Sequence, residues 1–92
     1  MFWKPTYSSW SEVQTLLEDV WELEGPDGPR PAKILIGKPI PFRDPRSGIE
    51  YYACAFFVEG ATKEIVTAVG TGPLNALNSA CIAIRRMISY PD

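Results

Sequence analysis

The sequence of 92 residues contains no histidine. This absence removes the commonest general base, the commonest zinc ligand and the base of the usual Ser-His and Cys-His nucleophile pairs. The two cysteines, Cys54 and Cys81, are too few for a structural zinc site without histidine. We expect both to be reduced core residues. No spacing pairs Asp44 with Glu50 as acid and base. We therefore expect no catalytic residues, no metal and no cofactor, which is the pattern of a non-enzymatic protein.

Long apolar runs are lacking as well. The longest, Ala53–Val58, is far too short to span a membrane. The first residues lack the basic region and apolar run that are typical of a signal peptide. The hydrophobic fraction of 46% fits an ordinary globular chain. We expect a cytoplasmic protein whose residues 1–92 form one small domain.

Basic residues are missing from the first third of the chain. Between Thr6 and Pro29 there is no lysine or arginine. The acidic residues of that stretch are Glu12, Glu18, Asp19, Glu22, Glu24 and Asp27. The basic residues of the middle are Arg30, Lys33, Lys38, Arg43 and Arg46. Two interpretations stay open: solvated faces that partly neutralise each other, or an acidic surface that docks on a basic partner.

An N-terminal helix is predicted over Trp10–Asp19. Ser9 and Glu12 have the spacing of a capping box, and apolar residues from Trp10 to Val20 recur at helical intervals. The next residues, Val20–Glu24, are ambiguous, because they either extend the helix or begin a strand with period two.

Apolar alternation after residue 31 predicts strands at Ala32–Gly37, Ile49–Glu59 and Lys63–Val69. A proline-rich loop at 38–48 and a hairpin turn at 59–62 separate these strands, and a further proline-rich loop at 25–31 precedes the first of them. A second helix is predicted over Pro73–Tyr90, where an apolar stripe recurs at helical spacing. The predicted fold is α+β in the order α-β-β-β-β-α: an N-terminal helix, a three- to four-stranded antiparallel sheet, and a C-terminal helix packed on the sheet.

The strand Ile49–Glu59 is apolar on both faces, and its neighbours Tyr51 and Tyr52 point to opposite sides. Both faces therefore need cover. The C-terminal helix covers one face. The other is covered either by the N-terminal helix, with Trp10 and Trp21, or by a second copy of the chain.

Gly70-Thr71-Gly72 lies between a strand and a helix, where many proteins bind phosphate. A dinucleotide fingerprint needs a third glycine, and asparagine stands there at position 75. Pro73 also removes a backbone N–H donor from the helix start. We interpret Gly70 as the end of the strand, Gly72 as the N-cap and Pro73 as the first helical residue.

The second half resembles a family of small bacterial proteins classified only as a domain of unknown function. The resemblance rests on Ile36-Gly37-Lys38-Pro39, on Cys54–Gly60 as a C-x-[FY]-x-[IV]-x-G strand and turn, and on Gly70 before Ala76-Leu77 and Ala80. At Gly72 the chain departs from the family, which often has an aspartate cap. The resemblance implies a β-rich sheet closed by a C-terminal helix, bacterial or phage origin, a strand at Val20–Glu24 and no assigned activity.

The predicted topology also resembles that of the double-stranded RNA-binding domain. That domain presents lysines at the start of its last helix, and this chain has none between Pro73 and Asn78. The sequence therefore does not favour nucleic acid as a partner. As the alternative function, weak nucleic-acid binding would use the basic middle, Arg30, Lys33, Lys38, Arg43 and Arg46.

The leading hypothesis is a small non-enzymatic protein-binding module, in its most concrete form an immunity-type or inhibitor-type protein. Aromatic side chains would anchor the partner and carboxylates would steer it. The candidate contact residues are Trp10, Glu18, Trp21, Glu22, Tyr51 and Tyr52. A homodimer through the apolar strand face is a further hypothesis, compatible with either function.

Overall fold

The computed structural model describes residues 4–88, which form one 3-10 turn, five strands and one α-helix. The turn is Trp10–Glu12. The other elements are β1 (Thr15–Leu23), β2 (Arg30–Gly37), β3 (Ile40–Arg43), β4 (Glu50–Val58), β5 (Val66–Gly70) and α1 (Pro73–Ile88). The described residues are thus α+β with an antiparallel sheet. The predicted helix end at Tyr90 lies outside them.

The predicted N-terminal helix is wrong. The capping box exists, with the Ser9 N–H donating to Glu12 Oε1 at 3.4 Å, but it supports only a single 3-10 turn. At Gln14 the backbone carbonyl already accepts from the Lys38 N–H, at 2.8 Å. From Thr15 onward the chain pairs with β2 as a strand, so the ambiguous residues 20–23 belong to β1. The sheet consequently has five strands, not three or four. Within residues 4–88 the single α-helix follows the sheet in sequence, and no α-helix precedes it.

The centre of the sheet is β4. Its C-terminal half pairs with β2 and its N-terminal half with β3, along the same edge, while β5 pairs along the other edge. The predicted loop 38–48 therefore contains a strand, β3. Pro41 made this segment resemble a loop, but a proline is tolerated in a strand at a sheet edge.

The hydrophobic core lies between the sheet and α1. Ala76, Ala80 and Ile84 recur at intervals of four and form the buried face of the helix. Their small size at the first two positions brings the helix close to the sheet. The predicted alternation of β4 is confirmed, because the buried cluster on this side takes every second residue of the strand. It contains Ile34, Ile36, Cys54, Phe56 and Val58 from the sheet.

The glycine pair is the joint between β5 and α1. A Cβ on Gly70 would lie 2.4 Å from the Ala76 nitrogen, so glycine is required for the helix to start this close to the strand. The Ala76 N–H donates to the Gly72 carbonyl at 3.0 Å, and α1 begins at Pro73. The structural interpretation of this motif is confirmed.

The face of the sheet opposite α1 is covered by the N-terminal segment, residues 4–13. Val13 lies very close to Gly37 of β2. A Cβ added to Gly37 would be 2.5 Å from the Cγ1 atom of Val13. Lys4 Nζ donates to the Thr67 carbonyl of β5 at 3.0 Å. An extended segment with one turn therefore takes the place that we predicted for a helix. Trp21 does not take part in this cover, because β1 places it on the opposite face.

Candidate functional site

The outer edge of the sheet is an exposed surface that carries several large apolar side chains. All residues of β1 except Leu23 are exposed. They include Leu16, Leu17, Val20 and Trp21, and Val20 has an exposed fraction of 61%. No described strand pairs with the outer side of β1. Proteins normally protect such an edge with bulges, charges or cover, and β1 has an irregularity between Thr15 and Leu17 and three carboxylates. Its large apolar side chains nevertheless stay exposed, which indicates an interaction surface.

The side chains of β1 divide between two faces. Residues opposite each other in an antiparallel pair share a face. Asp19 is opposite Ile34 and Trp21 is opposite Ala32, so Leu17, Asp19 and Trp21 lie on the α1 side. Glu18, Val20 and Glu22 lie on the other face, which we call the acidic face.

A groove of about 220 Å³ separates β1 from α1. The groove exists because α1 packs on β4 and β5 and leaves the β1 side of the sheet open. Its lining is mostly apolar. Its lining residues are Leu17, Asp19, Trp21, Ile34, Ile36, Cys81, Ile84 and Arg85.

The backbone groups of Val20 point away from the sheet. In β2, the Lys33 carbonyl accepts from the Glu59 N–H at 2.9 Å, and the Lys33 N–H faces the Glu59 carboxylate. Lys33 therefore directs its backbone groups towards β4, and its partner on the other side, Val20, is in a non-hydrogen-bonded pair. By the same alternation, the N–H and C=O groups of Glu18 and Glu22 also point outward.

The Asp19 carboxylate forms a hydrogen bond with one of these outward-pointing N–H groups. Its Oδ1 accepts from the Val20 N–H at 2.8 Å, and its Oδ2 accepts from the Trp21 indole Nε1–H at 2.8 Å. The indole hydrogen bond, followed by the backbone one, lowers the pKa of the Asp19 carboxyl from its ordinary value of 3.8. The ionised carboxylate thus holds both Trp21 and the free edge in place.

The structure brings together three of the six predicted contact residues: Glu18, Trp21 and Glu22, all on β1. Trp10 belongs to the N-terminal segment, where its indole donates to Thr15 Oγ1 at 2.8 Å. The sequence analysis missed Leu17, Asp19 and Val20 as site residues, because it assigned the first two to a helix and left Val20 ambiguous. No local signal could have indicated them, because Asp19 and Val20 interrupt any period-two alternation between Leu17 and Trp21.

The two tyrosines lie at the far end of β4, beside β3. They point to opposite faces, as predicted. Tyr51 stacks on Phe42 with ring centroids 5.7 Å apart, and Tyr52 packs against the buried cluster. Both are half-buried, so neither is part of the β1 surface.

The five basic residues of the alternative function do not form one patch. Arg30 is the first residue of β2 and Arg43 is the last residue of β3. At about 3.3 Å per residue, the two strands in succession place them roughly 40 Å apart. Lys33 is 3.9 Å from Glu18, and Arg43 is 3.4 Å from Glu50. Lys33 is on the acidic face, whereas the register places Arg30 and Arg43 on the α1 side. The remaining two are Lys38 and Arg46.

A second cleft, of about 620 Å³, lies between the N-terminal segment and the sheet. Burial, and then the nearby Glu12 carboxylate, raises the pKa of the Tyr7 phenol. Within residues 4–88, no group of three or more His, Cys, Asp or Glu could hold a metal ion. The lining residues are Thr6, Tyr7, Ser8, Ser9, Trp10, Leu35, Phe57, Lys63, Glu64 and Ile65.

Comparison with models of protein families, with curated proteins and with solved structures gave no match. The two resemblances seen in the sequence therefore stay predictions. Among the described residues, no helix has the length and apolar content that crossing a membrane requires. A functional proposal for this chain rests on the geometry of the β1 surface.

Proposed function

We propose that this chain is a small non-enzymatic protein-binding module of bacterial or phage origin, which docks on its partner through β1. An immunity-type or inhibitor-type protein is its most concrete form, acting in the cytoplasm. The observation that carries the proposal is the exposed nine-residue edge strand with its four large apolar side chains.

The composition of the surface supports this role. Trp21 is a large aromatic residue beside an apolar groove, which is the usual setting of an interface anchor. Glu18 and Glu22 lie on the acidic face, on the other side of the same strand, and would steer a positively charged partner. The surface therefore combines an apolar centre with charged residues around it, as docking surfaces do.

The other hypotheses gain less support. A homodimer through the apolar face of β4 would compete with the N-terminal segment, which covers that face. Weak nucleic-acid binding would need the five basic residues to act together, and they are spread over two faces of the sheet. We therefore retain nucleic acid only as the alternative.

Capture from an extract of the source cells at low salt tests the proposal. Val20→Lys places a charge on the exposed edge, and Leu74→Lys is its matched control, because Leu74 is 75% exposed on α1. We expect Leu74→Lys to capture the same protein as the unmodified chain, and Val20→Lys to capture about tenfold less. Circular dichroism must show that both variants are folded. Equal capture by the two variants would refute docking through β1.

A further inference from the structure

We infer that the partner contributes an extended, basic segment that adds to the sheet as a strand beside β1. This inference rests on the proposed function and goes further, since it names the binding mode and the chemistry of the partner. The outward N–H and C=O groups of Glu18, Val20 and Glu22 form the template for such a strand.

The carboxylates of β1 restrict how a second copy of the chain can pair with this edge. In a two-fold antiparallel pairing of β1 with itself, residues equally distant from the centre oppose each other. Registers centred on Glu18, Asp19 or Glu22 place a carboxylate opposite its own copy, and the register centred on Val20 places Glu18 opposite Glu22. Like charges directly opposite are destabilising, so these four registers are disfavoured, whereas registers centred on Leu17 or Trp21 oppose no two carboxylates within β1.

The same carboxylates favour a positively charged strand. Side chains of an added strand alternate between the two faces, so lysines at every second position would lie on the acidic face with Glu18 and Glu22. The intervening positions would point to the α1 side, where the groove between Trp21 and α1 accepts apolar side chains. The matching segment therefore alternates basic and apolar residues.

Asp19 must release the edge before a strand can pair. Its Oδ1 accepts from the Val20 N–H, and an added strand would offer a backbone carbonyl to the same N–H. Because the other oxygen of this carboxylate holds the Trp21 indole, pairing at Val20 would also change the surroundings of that indole. The two N–H groups bound by Asp19 thus report on strand addition.

A synthetic peptide of alternating lysine and valine, nine residues long like β1, provides the probe. We expect it to bind and to shift the nuclear magnetic resonance signals of the Val20 amide and the Trp21 indole N–H. Its counterpart of glutamate and valine should bind about tenfold more weakly or not at all. In Glu18→Lys/Glu22→Lys the preference between the two peptides should reverse.

N-methylation of the peptide backbone separates strand addition from simple charge attraction. For an antiparallel added strand, methyl groups on the backbone nitrogens of the lysines, which face β1, should weaken binding about tenfold, whereas methyl groups on the backbone nitrogens of the valines should not. Equal binding of both methylated peptides, or of the basic and acidic peptides, would overturn the inference. So would an unchanged Val20 amide. The proposed function would survive those results if Val20→Lys still reduced capture of the natural partner about tenfold relative to Leu74→Lys.

Discussion

The Trp21 indole is fixed by the carboxylate of Asp19, two residues before it in the same strand, through a hydrogen bond of 2.8 Å. Both side chains lie on the α1 side of β1, where neighbouring residues of one face are two positions apart. The carboxylate therefore presets the orientation of the aromatic residue that we propose as the anchor of the docking surface.

This contact should respond to acid. The pKa of Asp19 is lowered in the folded protein, so its contribution is complete above the ordinary value of 3.8 and is lost as the pH falls through the folded-state pKa. We expect the Trp21 indole resonance to stay constant from neutral pH down to that ordinary value and to shift only below it. Asp19→Asn should remove this transition. A midpoint at or above 3.8 would contradict the expectation.

The two glycines before α1 should differ sharply when replaced by alanine. At Gly70 the new Cβ would lie 2.4 Å from the backbone nitrogen of Ala76, which cannot move without shifting the helix. At Gly72 it would meet nothing within 4 Å. We expect Gly70→Ala to lower the free energy of unfolding by about 3 kcal/mol, as overpacked sites do, and Gly72→Ala to change it by less than about 1 kcal/mol. Urea unfolding measures both, and similar losses would contradict the close approach at Gly70.

The two thiols should react very differently. Cys54 is fully buried, and this burial, followed by the nearby Cys81, raises its pKa to about 11. Cys81 is half-buried and lines the groove. Because the thiolate is the reactive form, we expect a thiol reagent at mildly alkaline pH to modify Cys81 alone until the protein unfolds. Cys81→Ser should abolish the native-state reaction and Cys54→Ser should leave it intact. Modification of both thiols in the folded protein would count against the buried position of Cys54.

Removal of one methylene group should lower the free energy of unfolding at a core position more than at a surface position. Ile34 is 2% exposed in the buried cluster, whereas Ile49 is 52% exposed just before β4. We expect Ile34→Val to reduce the free energy of unfolding by about 1 kcal/mol, and Ile49→Val to leave it within about 0.5 kcal/mol of its original value. Chemical denaturation of the pair provides the comparison. An equal effect at both positions would argue against the packing of β2 beneath α1.

The well-buried elements could be predicted from the sequence. Strand β4 is covered on both sides, and after Glu50 its residues are apolar on both faces, which is typical of a buried strand. Helix α1 has one buried face and one exposed face, which produces a clear period, and its start is marked by Gly72 and Pro73. These two elements contribute most residues of the buried cluster, so their sequence patterns indicate their burial.

Strand β1 could not be predicted in the same way. An edge strand that is exposed on most of its length has no buried face to impose period two, and its leucines and valine also fit a helical spacing. The capping box at Ser9 strengthened that wrong interpretation, although its hydrogen bonds need only one turn. The pairing with β2 decides the structure, and a partner strand is not visible in a local pattern. Charge and aromatic content still identified Glu18, Trp21 and Glu22 as part of the surface.

The order of the elements along the chain has a consequence for folding. Each strand pairs with a strand close to it in sequence, so the sheet can assemble from short loops. The helix that covers the core, however, is synthesised after all five strands. Until Ala76–Ile84 has left the ribosome, the apolar side of the sheet has no cover from α1. During synthesis this small protein therefore passes through a stage in which its most aggregation-prone face is open to water.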